Sequence, residues 1–235
     1  MKLNELTKKL EELKQRGFIR TLRNGPTGIG HLLESELGLK ETNIAIPDIG
    51  GRVELKATRR NVNSLITLFT FNRSVWKIKQ KEVVERYGYK DEVGRQALYN
   101  IVNNKTPNSQ GFYLQSDPYK HLILLKNINY KDNIAEWSTY VIAGKFMTKL
   151  DRLVLIIADN KIEAGFEYFH FNEAYLLKHP TPEKFLEAFD KSEVMIDIRM
   201  HLKDTGGVRN HGTGFRMSEK NLMYLYSSKT PLMIL

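Results

Sequence analysis

The stretch PDIGGRVELKA, Pro47 to Ala57, sets an acid, a glycine pair, a second acid and a lysine in one short run. Val53, Leu55 and Ala57 alternate with Arg52, Glu54 and Lys56, the period of a strand with one packed face. The same period puts Glu54 and Lys56 on one side of that strand. Upstream, Pro47 and the Gly50-Gly51 pair bend the chain, and a bend of that kind carries Asp48 back toward Glu54.

Two close carboxylates repel each other unless a hard cation lies between them. Mg²⁺ takes oxygen ligands of this kind and keeps several waters. Such an ion lowers the pKa of a bound water and neutralises charge on a scissile phosphate. A neighbouring lysine stabilises developing negative charge or orients the attacking water. Asp48, Glu54 and Lys56 therefore fit one reaction, hydrolysis of a phosphodiester. The spacing also occurs on solvated strands, so context carries the reading. That context is the apolar back face, the two glycines and the basic segment that follows.

The chain has 235 residues and a net charge of +9. Eight Lys or Arg and one acid, Glu54, lie between Arg52 and Lys81, and four Lys or Arg and one acid lie between Arg199 and Arg216. Basic surfaces of this kind attract and steer polyanions. The absence of cysteine excludes disulfides and thiolate metal sites. No run approaches the eighteen apolar residues of a membrane span. The opening MKLNELTKKLEELKQRG is a polar amphipathic helix and lacks the apolar core of a signal peptide. No membrane association and a cytoplasmic location are expected.

Working outward, Leu3, Leu6, Leu10 and Leu13 predict a first helix over residues 2–15 that stops at Gly17. Asn24, Gly25, Pro26 and Gly28 make a turn, and Ile29, Leu32, Leu33 and Leu37 face a core from a second helix ending near Gly38. Asn43 to Ile46 reads as extended, and SLITLFT as a strand. Val93, Ala97, Leu98, Ile101 and Val102 suggest a helix. GFYLQ and HLILL are strands, and Ala135 to Leu150 is a helix or an irregular element. RLVLIIAD, almost wholly apolar, is a strand central to a sheet. Thr181 and Pro182 open a short helix, EVMIDIRM is a late strand, and RNHGTGFRM is a loop or strand edge. Ser218 caps a last helix carrying Leu222, Leu225 and Tyr226. The mixture gives an α/β or α+β fold.

Further candidates surround the first three. Glu34, on the second helix, is either an extra acid that completes the metal site or a surface glutamate. His31, one turn earlier, is structural or a phosphate contact rather than a general base. NGPTGIG exposes backbone amides suited to phosphate but lacks the lysine and hydroxyl ending of a nucleotide-binding loop. Arg209 and Arg216 carry forked donors suited to guanine edges, Asn210 suits adenine, and His211 donates to a base or phosphate. Arg59, Arg60 and Arg73 are phosphate contacts on this reading, with a salt bridge as the alternative for any one of them.

GPTGIGHLLESELG, PDIGGRVELKA, SLITLFT and the late GVRNHGTGFR together resemble the MvaI/BcnI group of type II restriction endonucleases, related to the MutH nicking endonuclease of mismatch repair. The resemblance implies a PD-(D/E)xK fold with a mixed central sheet flanked by helices, and a recognition lobe. In it Asp48 and Glu54 would hold Mg²⁺, Lys56 would assist the water, and Glu34 would match the family's extra acid on the first core helix. It further implies a monomer that clasps double-stranded DNA between two lobes and nicks each strand of a short, GC-flanked, near-palindromic site in turn. A cognate DNA methyltransferase is the expected partner in the same cell. The catalytic lobe is expected mainly from residues 1–100 and 150–165, and the recognition lobe from parts of the middle and 170–235. Two other readings stay open: a strand-specific repair nickase with the same catalytic residues, and a DNA-binding protein without cleavage.

Overall fold

Three of the four leucines expected on the first helix, Leu6, Leu10 and Leu13, are buried in α1 (Leu3–Gln15). Gly17, at φ +73°, takes the left-handed conformation just past its end. Strand β1 (Ile19–Arg20), α2 (Gly28–Glu36), β2 (Glu54–Arg59) and β3 (Leu65–Phe71) follow. The middle of the chain forms α3 (Gln80–Tyr87), β4 (Tyr89–Lys90), β5 (Gln96–Val102), β6 (Phe112–Asp117), β7 (Leu122–Asn127) and β8 (Tyr130–Ser138). The last part forms α4 (Thr139–Leu150), β9 (Arg152–Glu163), β10 (Phe166–Pro180), α5 (Pro182–Asp190), β11 (Val194–Leu202), β12 (Val208–Ser218), a 3₁₀ helix over Glu219–Leu225, and β13 (Tyr226–Met233). This computed structural model describes residues 1–39, 46–61, 64–71 and 75–234. The phosphate contact expected of Arg73 and most of the extended piece Asn43 to Ile46 lie outside the described residues.

The chain divides into two units. The first takes residues 1–66, 147–181 and 219–235, the second residues 67–146 and 182–218. Residues 67–100, placed with the catalytic lobe on the sequence reading, belong to the second unit; residues 166–181 and 219–235 belong to the first.

The first unit is a mixed sheet in the order β1-β10-β9-β2, with β13 also paired to β10. Strand β9 is interior, as its apolar run requires, and β2 runs parallel to it with Glu54 opposite Leu153 and Lys56 opposite Leu155. Helices α1 and α2 pack on this sheet. Their leucines close over Leu55, Val154, Ile156, Phe169 and Phe171 in one core. That core buries the back of β2, leaving its Glu54–Lys56 face for chemistry.

The second unit holds a five-stranded sheet, β3-β12-β11-β5-β4, and a three-stranded meander, β6-β7-β8. Its core is aromatic: Phe69 stacks on Phe215 at 4.8 Å and Phe146 on Phe185 at 4.7 Å between ring centroids.

Three expectations change here. The helix expected over Val93 to Val102 is strand β5, because apolar residues stand on both its faces and a short run of that kind does not reveal its period. Val93 sits instead in a turn where Asp91 accepts from the amides of Val93 and Arg95 and Gly94 has φ +81°. RNHGTGFRM is an interior strand, not a loop or edge. The last helix is a 3₁₀ turn, and Tyr226 begins a strand on β10.

Candidate active site

Gly50 and Gly51 both have positive φ, +56° and +69°. Two such residues in succession make the tight turn that reverses a strand with its natural twist. The reversal is sealed by hydrogen bonds between Ile49 and Val53 in both directions, at 2.9 and 3.2 Å. Asp48, before the turn, is thereby brought alongside the start of β2, where its Oδ2 accepts the Leu55 amide at 2.9 Å.

Glu54 is 2% exposed, an uncommon burial for a carboxylate. Lys56 Nζ donates to its Oε1 at 2.7 Å, as two residues on one strand face allow. Its Oε2 lies 2.7 Å from Lys149 Nζ, a second ion pair on the same buried carboxylate. Asp48 by contrast is exposed. Tyr226, buried behind them, has its hydroxyl pushed well above the usual tyrosine value, first by burial and then by the Glu54 charge.

These groups fit a Mg²⁺ ion. One buried carboxylate and one exposed carboxylate on adjoining backbone match an ion that takes one or two carboxylates and fills its other positions with water and phosphate. Among the described residues no group of three or more His, Asp or Glu gathers as a closed metal cage. Glu34 is half-buried on α2, which packs on β2, and His31 is half-buried one turn before it.

Arg59 and Arg60 are each paired to carboxylates of the first unit. Arg59 binds both oxygens of Glu167 at 2.8 Å and the Gly25 carbonyl at 3.1 Å. Arg60 donates to Asp159 at 2.6 Å, Asn172 at 2.6 Å and Glu173. Arginine's rigid fork suits these bidentate pairs, and the salt-bridge alternative is the one observed.

In the second unit, β12 carries a bulge. Ile198 pairs with Thr213 and Met200 with Asn210, so His211 and Gly212 together oppose Arg199. Gly212, at φ +82°, takes the left-handed conformation such a bulge needs. The extra residue shifts the alternation. Arg209 and His211 before it share a face with Gly214 and Arg216 after it. Asn210 falls on the opposite face, donating to Gln80 Oε1 at 3.2 Å and accepting the Gly212 amide at 2.7 Å. Plain alternation thus turns Asn210 toward α3, while the bulge is what brings Arg216 onto the face of Arg209.

The shared face also holds residues that the sequence reading missed. Asp197 lies 3.1 Å from Arg216 Nη1 and 3.6 Å from Arg199 Nε. Tyr99 Oη is 3.0 Å from His201 Nδ1, and the His201 and His211 rings stand 5.7 Å apart. Burial, then the neighbouring arginines, pushes both imidazoles below the ordinary histidine value. Asp197, Arg199 and His201 alternate along EVMIDIRM and could have been read as one polar face of that strand. Lys149 and the buried Glu219, whose carboxylate accepts from the Thr58 hydroxyl and from Ser64 at 2.8 Å, carried no sequence signal.

Comparison with known proteins matches this arrangement. Over 99% of this chain and 100% of the other, the structure superimposes on a solved structure titled restriction endonuclease MvaI-cognate DNA substrate complex, with a TM-score of 0.82 and 26% identity. It also aligns with restriction endonuclease MvaI in the absence of DNA, at a TM-score of 0.56 and 26% identity, over 98% of this chain and 97% of that one. No curated protein gave a significant match. A profile of the MvaI/BcnI restriction endonuclease family matches residues 7–226, nearly the whole chain. With its mixed sheet and its Pro47-Asp48, Glu54-Leu55-Lys56 hairpin, this protein belongs to the MvaI/BcnI restriction endonuclease family.

Proposed function

We infer that this protein is a type II restriction endonuclease that hydrolyses phosphodiesters of a specific site in double-stranded DNA. The observation that carries this is the Gly50-Gly51 hairpin, which sets Asp48 against the strand bearing Glu54 and Lys56. The similarity to MvaI, solved with its cognate DNA substrate, supports it.

Asp48 and Glu54 would hold Mg²⁺, which lowers the pKa of a bound water and offsets charge on the phosphate. The chain's own residues do the rest. The Leu55 amide fixes the Asp48 carboxylate, so one ligand is set by backbone rather than by a free rotamer. The Lys56 ammonium, held by Glu54 Oε1, supplies positive charge for the attacking water and the developing oxyanion. Glu34 is the candidate extra acid.

The face of β11 and β12 is the candidate reader. Arg209, His211 and Arg216 point from one side of the bulged strand, and Asp197 orients Arg216 and Arg199. Arginine forks held in this way suit the O6 and N7 edge of guanine. On this reading residues 1–66, 147–181 and 219–235 cut and the second unit recognises. A monomer with one catalytic cluster nicks the two strands in succession, and a cognate methyltransferase protects the host's sites.

Digestion of a sequenced plasmid with Mg²⁺, followed by mapping of both ends, tests the function. Discrete double-strand breaks at one short sequence are expected. Persistent single nicks would favour the repair-type nickase, and binding without any cut would reject the reading.

A further inference from the structure

Each oxygen of Glu54 is met by an ammonium group: Lys56 at Oε1 and Lys149 at Oε2, both at 2.7 Å. Lys56 belongs to the same strand face. Lys149 comes from a different element, the last turn of α4, with its side chain only 16% exposed. It also donates to the Ile46 carbonyl at 3.0 Å, so it spans from the buried carboxylate to the backbone that leads into Pro47-Asp48. The next carbonyl on that helix, Leu150, is tied down by the Tyr226 hydroxyl at 3.0 Å. Lys149 thus sits on the carboxylate oxygen that Lys56 leaves open.

We propose that Lys149 is the resident counter-cation of the metal site, which a divalent ion must displace from Glu54 Oε2 before it binds. The inference rests on Asp48 and Glu54 being the Mg²⁺ ligands. A buried carboxylate needs a positive partner, and Lys149 stands 2.7 Å from this one. An ammonium and a divalent ion cannot both contact that oxygen without strong repulsion at such short range. The Ile46 carbonyl gives the displaced ammonium a second partner to hold. Lys149 therefore weakens metal binding by the DNA-free enzyme. Loading then depends on the extra oxygen ligands that a DNA phosphate brings, which couples metal capture to DNA binding.

Calorimetric titration of Mn²⁺ into DNA-free wild type, Lys149→Met and Asp48→Asn tests this. Lys149→Met keeps much of the side-chain length without the charge. It should bind Mn²⁺ about tenfold more tightly than wild type, since the competing charge has gone. Equal or weaker binding, with wild-type binding still dependent on Asp48, overturns the inference and leaves the metal reading intact. Binding that ignores Asp48→Asn overturns both. If Lys149→Met fails to fold, wild type with ¹³Cε-labelled lysine is titrated with Mg²⁺, the Lys149 signal being assigned through Lys149→Arg. That signal should move with the binding isotherm, and a stationary signal overturns the inference.

Discussion

The amide of Leu55 donates to Asp48 Oδ2 at 2.9 Å, across a turn whose two central residues are glycines. Through this bond the acid before the turn and the acid on the strand become neighbours. On the proposed function the turn geometry is a catalytic requirement as well as a folding one. Gly51→Val should cost about 1–2 kcal/mol, because a left-handed conformation is unfavourable for any side chain and worse for a branched one. No heavy atom of the described residues lies within 4 Å of the added Cβ, so the cost is backbone strain and not a clash. Urea denaturation should show that loss, and single-turnover cleavage should fall by more than the stability change explains.

Lys56→Met should leave site-specific DNA binding within about threefold of wild type while cutting single-turnover cleavage by roughly 10²–10³ or more, the scale of losing one charge-stabilising group at a reacting centre. Gel shifts in Ca²⁺ beside rapid-quench cleavage in Mg²⁺ measure both. Retained cleavage would remove Lys56 from the chemistry.

Arg60 holds three partners on β9 and β10, so its replacement is a stability experiment. Arg60→Ala should cost about 2 kcal/mol, below the figure for fully buried pairs because its side chain is 24% exposed. The salt dependence of DNA binding should not change, whereas a lost phosphate contact would lower its slope by about one.

The same arginines predict an acid limit. Burial pushes the Asp159 carboxyl up, but Arg60 and Asn172 outweigh it and hold it below the ordinary value. Glu173 is likewise raised by burial and lowered more by Tyr175 and Arg60. Glu167 is lowered first by its hydrogen bonds from Arg59. Folded values below unfolded ones mean the stability is fully present above the unfolded carboxylate range, near about pH 4, and is lost as pH falls through the folded values. Urea midpoints should therefore drop steeply below about pH 4, and Arg60→Ala should flatten that drop. An unchanged slope in the variant would show that Arg60 does not hold these carboxylates ionised.

Asp197→Asn should disturb recognition without touching the cutting residues, because it loosens Arg216 and Arg199 together. The expected loss is about 1–3 kcal/mol of discrimination at the base pairs those arginines face, with non-specific binding little altered. Competition between matched and single-mismatch duplexes measures it, and an unchanged specificity ratio would take these residues out of base reading.

Periodic local signals were legible in the sequence and held. The leucine spacings of α1 and α2, the alternation from Val53 to Ala57, and the apolar run of β9 each report a face or a burial that neighbouring residues settle among themselves. The hairpin was legible for the same reason, since consecutive glycines after an acid allow few backbone courses. The β5 segment failed because apolar residues on both faces erase the period. That Arg209 and Arg216, seven residues apart, share a face was not legible, because a bulge breaks strict alternation and only the pairing with β11 places the extra residue.

Taken alone, the amino-acid order determined that an acid, a turn, an acid and a lysine would lie in one strand and the bend before it, with basic segments elsewhere in the chain. Tertiary structure decided which charges are spent on holding the protein together. Arg59 and Arg60 look as available as Arg209 in the sequence, yet their partners Glu167 and Asp159 come from distant strands. Lys149 is an ordinary helical lysine until the fold sets it 2.7 Å from Glu54. Charge pairing depends on distance through space and on burial, and a linear pattern records neither.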